Sequence, residues 1–136
     1  MIFRELNLND YKQFKELIND FSKTEFDFIE FKKIAEEETN IKIFVIEDNK
    51  KLLSSGTILF EKKFIHNISL YCHIEDIIVK KEYQARGIGK LLIENLINVC
   101  KNKKAYKILL DCETDLIPFY EKSGFINKGY QMVIYL

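Results

Sequence analysis

One segment near the middle of the chain restricts the possible folds more than any other. The apolar run at residues 77–79 is followed by a glycine-containing turn, residues 84–89, and then by a long stretch in which apolar residues recur at helical spacing. Another short apolar run, residues 108–112, comes next. A strand, a helix and a strand in this order are typical of a crossover unit, whose two strands are parallel. The chain is therefore expected to be a mixed α/β protein.

The segments on either side of this unit extend the predicted order to β-α-α-β-β-β-α-β-α-β. Strands are predicted at residues 2–6, 41–47, 52–62, 69–79, 108–112 and 129–136. Helices are predicted from Tyr11 to Phe21 behind an Asn9/Asp10 cap, from Asp27 to about Glu38, from Gly87 to about Lys104, and from Pro118 to before Gly124. The short turns among the middle strands favour an antiparallel meander.

Composition narrows the possible functions. The 136 residues are 47% hydrophobic, which predicts one core and a single domain over residues 1–136. Because 21 basic residues balance 21 acidic ones, a nucleic-acid-binding role is not expected. No apolar stretch approaches the roughly 20 residues that span a bilayer, and charge follows Met1 at once, so neither a membrane partner nor export is expected. Three scattered cysteines predict free thiols in a reducing cytoplasm and no metal site.

The turn Gln84-Ala85-Arg86-Gly87-Ile88-Gly89 has the features of an anion site. Two glycines let successive backbone N–H groups converge, and the following helix directs its positive end at the same point, where a pyrophosphate would fit. Arg86 and Lys90 add positive charge. Neither GxGxxG nor GxxxxGK[ST] is present, so the turn is not a Rossmann or P-loop motif. An ordinary glycine-rich turn is the alternative interpretation of these residues.

The wider pattern resembles the GNAT acetyltransferases. The motif QxxGxG after an apolar strand, followed by a helix, a strand and Phe119-Tyr120-Glu121-Lys122-Ser123-Gly124-Phe125, is similar to that family in order and spacing. The resemblance implies a mostly antiparallel central sheet with helices on both faces and a parallel β-α-β crossover at the site for acetyl-coenzyme A. In that family the turn binds the pyrophosphate of this co-substrate.

A narrower resemblance, to the glucosamine-6-phosphate N-acetyltransferase family, covers roughly residues 55–132. It rests on the runs at residues 61–66, 73–79, 89–93, 106–112 and 119–122. It implies direct acetyl transfer, through a tetrahedral intermediate, to the amine of glucosamine 6-phosphate, an amino sugar phosphate used in UDP-N-acetylglucosamine synthesis. It also implies a cytoplasmic homodimer with the apolar C-terminal strand near the interface. A GNAT enzyme acting on a peptide or polyamine, and a non-catalytic coenzyme-A-binding module, are the alternatives.

The resemblance also implies roles for particular residues. The catalytic candidates are Glu75, Asp76, Asp111 and Tyr120, with Tyr120 as the acid for the departing thiolate. The acetyl-coenzyme A site comprises Ile77, Ile78, Val79, Gln84, Ala85, Arg86, Gly87, Ile88, Gly89, Lys90, Phe119, Tyr120 and Lys122. The acceptor site comprises Lys63, His66, Glu75, Asp76 and Asp111.

Each acceptor or catalytic candidate also has a simpler interpretation. Adjacent strand residues point to opposite faces, so Glu75 and Asp76 share one site only if the strand bulges there. Otherwise they are the charged face of an exposed strand. Asp111 could cap a loop, Tyr120 could be a core tyrosine, and Lys63 and His66 could be solvated or structural residues. A nucleophilic role for Cys112 is not expected, since no Cys–His arrangement is present.

Two positions depart from the family pattern. GNAT members commonly carry an asparagine that binds pantetheine four residues before the tyrosine, where this chain has Leu116. The family's last strand tends to carry basic residues that serve the sugar phosphate, whereas this chain ends Val133-Ile134-Tyr135-Leu136. The phosphate of the acceptor must then rely on Lys63, Lys62 or another lysine.

Overall fold

Five strands stand side by side in chain order to form one sheet in the computed structural model, which describes residues 1–136. Neighbouring strands are antiparallel except for the last two, which are parallel. The strands are β1 (Ile2–Glu5), β2 (Ile41–Asp48), β3 (Lys51–Lys62), β4 (Leu70–Val79) and β5 (Lys107–Leu109). The mixed, mostly antiparallel sheet and the parallel crossover predicted from the sequence are confirmed.

Four helices pack on this sheet. They are α1 (Tyr11–Phe21), α2 (Phe28–Lys32, continued by a π-helical turn at Lys33–Glu37), α3 (Ile88–Asn102) and α4 (Ile117–Glu121). Short 3-10 turns occupy Leu8–Asp10, Lys81–Tyr83 and Thr114–Leu116, and a turn at Ile65–Ile68 joins β3 to β4. None of the helices has the combination of length and apolar character that crossing a bilayer requires.

The cap before α1 is only partly as predicted. Asp10 holds the N-cap position of α1, but its side chain makes no capping hydrogen bond to that helix. Asn7, not Asn9 or Asp10, caps the 3-10 turn that leads into α1: its side chain accepts from the N–H of Asn9, and Asp10 accepts from the N–H of Asn7. Asp10 is instead buried against Arg4, whose guanidinium donates to both of its carboxylate oxygens at 2.8 and 2.9 Å. The 3-10 turn at Leu8–Asp10 places the side-chain capping hydrogen bonds at Asn7, because the first backbone N–H groups without helical acceptors belong to this turn and not to α1.

The two faces of the sheet bury separate apolar clusters. The apolar face of α3, including Leu92, Ile93 and Leu96, packs on one face against residues such as Ile58 and Ile74. On the other face, α1 and α2 cover β1 to β3 with a smaller cluster made of Leu6, Phe14, Phe31, Val45 and Leu52. Helices therefore lie on both faces, as expected. The second cluster includes no residue of β4 or β5.

Two strands predicted near the C-terminus differ from the structure. The segment predicted as a strand over residues 108–112 is paired only at Lys107–Leu109, because β5 separates from β4 after that point. Residues 129–136 form no strand at all. Since no neighbouring strand pairs with them, their backbone has no ladder, and Tyr130, Ile134 and Tyr135 are almost fully exposed.

A β-bulge interrupts β4 where it passes Gly56 of β3. The pairs Ser55–Ile78 and Thr57–Glu75 show that β4 carries one extra residue here, and Asp76 takes a left-handed conformation with φ 50°. A Cβ atom at Gly56 would lie 2.7 Å from Ile77 Cδ1 and 2.9 Å from Leu96 Cδ1. The bulge and α3 therefore approach each other closely only because residue 56 has no side chain.

We expect Gly56→Ala to destabilise the fold by about 1 kcal/mol, the lower end of the range for overpacking, because the two crowded atoms are side-chain ends. Urea unfolding measures the change. Ile77→Val removes the Cδ1 atom that the new methyl group meets, so Ile77→Val should cost less in the Gly56→Ala background than in the wild type. Equal costs in the two backgrounds would show that Gly56 is not needed for close packing at the bulge.

Candidate active site

The site begins where β4 and β5 separate. Their parallel pairing runs from Tyr71–Lys107 to His73–Leu109 and stops there. Glu75 and Asp111 both stand two residues beyond the last pair, so they lie on the two sides of the opening. Beyond His73 the edge of β4 that faces β5 has no strand partner. Along this edge the backbone groups at Ile77–Val79, apart from the Val79 carbonyl that accepts from Gln84, are therefore available to an extended ligand.

The bulge explains how Glu75 and Asp76 can share one site, although adjacent residues of a regular strand point to opposite faces. Glu75 follows Tyr71 and His73 on one face of β4, opposite the face packed on α3. The extra residue Asp76 falls between Glu75 and Ile77 and is exposed, as Glu75 is. Both side chains are therefore presented at the opening, which the simple alternation of a strand would not allow.

Glu75, Asp76 and Asp111 form what we term the carboxylate cluster. Partial burial, followed by the charges of Asp111 and Asp76, raises the pKa of Glu75 above its ordinary value. None of the three carboxylates has an ion-pair partner, although Asp111 accepts a hydrogen bond from Gln131 Nε2 at 2.9 Å. An excess of unpaired negative charge at the opening favours a cationic ligand such as an ammonium group.

The turn before α3 provides free backbone N–H donors, which suit an anion, whereas the carboxylate cluster suits a cation. Gly87 is in the left-handed region with φ 81°, and the position of its missing Cβ is open. The first backbone hydrogen bond of the helix is from Leu91 to Gly87, so the N–H groups of Ile88, Gly89 and Lys90 have no acceptor in the chain. Three free N–H groups at the N-terminus of a 15-residue helix suit a phosphate group.

Contacts around this turn connect it to the opening. Gln84 Nε2 donates to the carbonyl of Val79 at 3.1 Å, which ties the turn to the end of β4. The Phe119 ring lies 3.3 Å from the position that a Cβ of Gly89 would occupy, so α4 packs against the start of α3.

The other residues predicted to bind the co-substrate lie in or near this turn. Ala85 takes φ 59°, and the Arg86 guanidinium lies 5.4 Å from the Tyr83 ring centroid. Lys90 faces Glu94, and Lys122 is exposed at the end of α4.

Tyr120 is suited to donate a proton. Its side chain is buried against Phe119 and Phe125, and its hydroxyl makes no hydrogen bond within the chain. Burial, with a smaller contribution from Cys112, raises the pKa of Tyr120 above its ordinary value. The phenol is therefore neutral and protonated at physiological pH.

Cys112 lacks the properties of a nucleophile. Partial burial, followed by the charges of Asp111, Glu113 and Asp115, raises the pKa of the Cys112 thiol above its ordinary value. The thiol therefore stays protonated at neutral pH, whereas a nucleophilic cysteine needs its thiolate.

A second group of side chains lies at the other end of β4. Lys63, His66, Tyr71, Tyr106 and Lys107 form what we term the cationic-aromatic cluster. His66 stacks on Tyr106 with ring centroids 4.1 Å apart, and Tyr106 stacks on Tyr71 at 5.8 Å. The ammonium groups of Lys63 and Lys107 lie 4.9 and 4.8 Å from the centroid of the Tyr71 ring. These contacts hold two cations beside one buried ring.

The two clusters are separated along one strand. Tyr71 and Glu75 are on the same face and four residues apart, about 13 Å at 3.3 Å per residue. His73 stands between them, with Nε2 2.9 Å from Glu61 Oε1. Lys63 and His66, which were predicted to share the acceptor site with Glu75, Asp76 and Asp111, thus lie in a separate group at the other end of β4. No set of His, Cys, Asp or Glu side chains is arranged to hold a metal ion.

Three residues of the cationic-aromatic cluster, Tyr71, Tyr106 and Lys107, were not singled out as site residues in the sequence, and neither was Gly56 at the bulge. Tyr71 and Lys107 are brought together because β4 and β5 pair there. Gly56 matters to the site because it faces the bulge in β4. Lys107 lies inside the motif at residues 106–112, where a lysine next to an apolar run resembles any exposed strand residue. Only the parallel register places it beside Tyr71.

Comparison with known sequences identifies close relatives. The chain matches the acetyltransferase (GNAT) family over residues 5–125. It is 37% identical over 141 residues to glucosamine 6-phosphate N-acetyltransferase 1 of Dictyostelium discoideum, covering 98% of this chain and 90% of that protein. It is 35% identical over 143 residues to glucosamine 6-phosphate N-acetyltransferase of Arabidopsis thaliana, covering 97% and 94%.

Solved structures agree with this result. The crystal structure of glucosamine-6-phosphate N-acetyltransferase from Arabidopsis thaliana superposes with a TM-score of 0.90 at 33% identity, covering 98% of this chain and 97% of that one. An acetyltransferase from Trypanosoma brucei superposes with a TM-score of 0.92 at 28% identity over 99% of each chain. The similarity therefore extends over nearly the whole chain in both sequence and fold.

We predict that Asp111→Asn lowers the pKa of Glu75, because it removes a negative charge that opposes ionisation of that carboxyl group. Part of the upward shift should persist, since burial is its largest cause. Carbon-detected NMR titration of the Glu75 side chain measures the change. His73→Gln is the matched control and should move the Glu75 midpoint upward, because the His73 charge lowers it. An unchanged midpoint in Asp111→Asn would show that the two carboxylates do not interact across the opening.

Proposed function

This chain belongs to the GNAT acetyltransferase family, and we propose that it transfers the acetyl group of acetyl-coenzyme A to the amine of glucosamine 6-phosphate. The family assignment made from the residues is confirmed. The substrate is supported by the names of the relatives above, which match this chain over nearly its full length. The observation that carries the proposal is the separation of charge along β4. An acceptor with an ammonium group at one end and a phosphate at the other matches that separation.

Acetyl-coenzyme A is the co-substrate of GNAT enzymes and supplies the activated acetyl thioester. The residues available to hold it fit its chemistry. The free N–H groups from Ile88 to Lys90 and the charge of Arg86 suit its pyrophosphate. The unpaired edge of β4 at Ile77–Val79 suits its amide-containing pantetheine arm, which can pair with the strand as another strand would. Phe119 packs beside the turn and closes one side of this path.

Direct attack by an amine requires that the amine first lose its extra proton. The carboxylate cluster attracts the ammonium form, and Glu75 has a raised pKa, which makes it a better proton acceptor than an ordinary carboxylate. We assign Glu75, Asp76 and Asp111 to binding and orienting the amine. Positioned general-base assistance contributes about 10²–10⁴ in rate.

The oxyanion of the tetrahedral intermediate requires a hydrogen-bond donor, and the departing thiolate requires an acid. Backbone N–H groups at the unpaired edge of β4 can stabilise the oxyanion, and loss of one such donor typically costs about 10²–10³ in rate. Tyr120 is the acid that we assign to the thiolate. Its neutral phenol has no competing hydrogen bond within the chain.

The position of Leu116 weakens one expected contact. Leu116 ends the 3-10 turn before α4 and is partly exposed, four residues before Tyr120. A leucine offers pantetheine no side-chain hydrogen bond. The loss amounts to about 1 kcal/mol of co-substrate affinity, which the remaining contacts can tolerate.

The substrate assignment is tested by acetyl-transfer assays on glucosamine 6-phosphate, glucosamine, a lysine peptide and spermidine. We expect kcat/KM for glucosamine 6-phosphate to exceed that for glucosamine by at least about tenfold. A charged hydrogen bond to the phosphate contributes about 1.5–3 kcal/mol, and 1.36 kcal/mol corresponds to a factor of ten. Equal values for the two sugars, or a higher value for the peptide or the polyamine, would contradict the proposal.

We further propose that the enzyme is a cytoplasmic homodimer. The C-terminal segment, residues 129–136, is mostly apolar and almost wholly exposed. Gln131 in this segment donates to Asp111, two residues beyond the end of the edge strand β5, whose outer side is unpaired. Unpaired strand edges and exposed apolar segments are both typical of surfaces that associate with another chain. The cysteines Cys72, Cys100 and Cys112 are free thiols, which suits a reducing compartment.

The dimer is tested by light scattering coupled to size-exclusion chromatography. We expect the full chain to have twice the mass of one polypeptide, and a chain that ends at Lys128 to be monomeric. The double variant Met132→Lys/Ile134→Lys keeps the full length but places charge in the apolar segment, and it should also be monomeric. A monomeric full chain, or a truncated chain that still dimerises, would contradict this role of the C-terminal segment.

A further inference from the structure

The C-terminal segment, residues 129–136, contacts the carboxylate cluster at one point. Gln131 Nε2 donates to Asp111 Oδ2 at 2.9 Å, and the two residues are 20 positions apart in the chain. No other side-chain hydrogen bond in the structure reaches the cluster. Gln131 is also the one amide side chain in a segment that is otherwise apolar or aromatic apart from Gly129. The polar residue of this segment therefore lies at the candidate active site.

The exposed fractions along the segment show which of its sides faces the rest of the chain. Tyr130, Met132 and Ile134 are 97%, 93% and 85% exposed, whereas Val133 is 52% exposed. Gln131 falls on the same side of this alternation as Val133 and reaches Asp111 from there. The side that carries Gln131 and Val133 therefore faces the domain, and the most exposed apolar residues lie on the other side.

A neutral amide is suited to hold a carboxylate that has to bind a cation. The N–H of Gln131 restricts one oxygen of Asp111 by a hydrogen bond but leaves the negative charge in place. A lysine or arginine in the same position would neutralise that charge and compete with an ammonium ligand. Since Oδ2 accepts from Gln131, Oδ1 is the oxygen of Asp111 that has no partner in the chain. This oxygen is the one left for a bound amine.

The direction of the Asp111 side chain also matters to Glu75. The charge of Asp111 contributes to the raised pKa of Glu75, after the larger effect of partial burial. Asp111 is exposed and stands beyond the last pair of β4 and β5, so no ladder fixes its backbone. An exposed aspartate without a partner would turn toward water and away from another carboxylate. The hydrogen bond from Gln131 opposes that movement and keeps both carboxylates at one opening.

We infer that Gln131 is a positioning residue that orients the Asp111 carboxylate toward the acceptor amine. This inference rests on the proposed function, since the amine is the group assigned to the carboxylate cluster. Gln131 acts through Asp111 and does not need to touch the substrate. The C-terminal segment then has a different role on each of its sides: the outer, apolar side is the one proposed to associate with another chain, and the inner side supports the site.

The kinetic test compares the wild type with Gln131→Met, which keeps most of the length of the side chain and removes its N–H donor. We expect kcat/KM for glucosamine 6-phosphate to fall about threefold to tenfold, as for loss of one hydrogen bond, mostly through KM for this acceptor. KM for acetyl-coenzyme A should not change. Gln131→Lys keeps a donor but neutralises Asp111, so it should lower kcat/KM further.

Carbon-detected NMR titration of Glu75 gives a readout that does not depend on catalysis. Gln131→Met should move the Glu75 midpoint downward, but by less than Asp111→Asn does, because the released Asp111 keeps its charge and turns away. In the Asp111→Asn background, Gln131→Met should change neither the midpoint nor kcat/KM. Tyr130→Phe is the matched control, because it removes a polar group from the adjacent, outward-facing position. It should behave as the wild type in both measurements.

The outcomes distinguish this inference from the proposed function. A wild type that acetylates glucosamine 6-phosphate, with a Gln131→Met variant unchanged in kcat/KM and in the Glu75 midpoint, would overturn the role of Gln131 alone. Equal effects of Gln131→Met with and without Asp111 would also overturn it. A wild type that prefers another amine would overturn the substrate assignment, and the Glu75 midpoint would still test the contact between Gln131 and Asp111.

Light scattering separates positioning from assembly. The Gln131→Met variant should have the same mass in solution as the wild type, because Gln131 lies on the inner side of the segment. A lower mass together with lower activity would show that the substitution acts through association of chains and not through Asp111, and it would overturn the inference.

Discussion

The separation of β4 from β5 is the constraint on which the rest of the site depends. The two strands pair over three residues and then diverge, and the bulge at Asp76 occurs immediately beyond the point of divergence. A continuous ladder would satisfy the backbone of β4 with a neighbouring strand and leave no room for a ligand. Because the ladder stops, the edge at Ile77–Val79 has no strand partner on the side of β5. The carboxylates of Glu75 and Asp111 also stand on opposite sides of one gap, and this combination makes a transferase site possible in so small a sheet.

Charge is distributed unevenly around this gap, although the chain has no net charge. Carboxylates without ion-pair partners lie at the opening, and lysines and aromatic rings lie at the N-terminal end of β4. Free backbone N–H donors lie at the start of α3. Each of these regions suits one part of the two proposed substrates: an amine, a sugar phosphate and a pyrophosphate. A polyamine would match only the first of them, since it carries no anion. The arrangement therefore favours an acceptor that bears both charges.

The sequence predicted those parts of the fold that depend on local pattern. The turn at residues 84–89 and the amphipathic helix after it were predicted because glycine spacing and apolar periodicity are local properties. The length of β5 and the fate of residues 129–136 could not be predicted, because an apolar run becomes a strand only where another strand pairs with it. The apolar residues near the C-terminus indicate burial, yet within one chain nothing covers them. The same limit on prediction applies to the site. The sequence indicated that Glu75 and Asp76 share one site only if the strand bulges there, but the position of the bulge depends on Gly56 in another strand. The proximity of Lys107 to Tyr71 likewise depends on parallel register.

The measurement that most directly tests the central claim is an NMR titration of the protein with coenzyme A, followed by its backbone amide signals. If the unpaired edge of β4 and the turn before α3 together hold the co-substrate, the largest shifts should fall at Ile77–Val79 and at Gln84–Lys90, on both sides of the gap. Smaller changes are expected around Phe119 and Tyr120. Saturable binding whose largest shifts lie elsewhere, for example along α1 or at Lys62–Leu70, with residues 77–90 unaffected, would contradict the account.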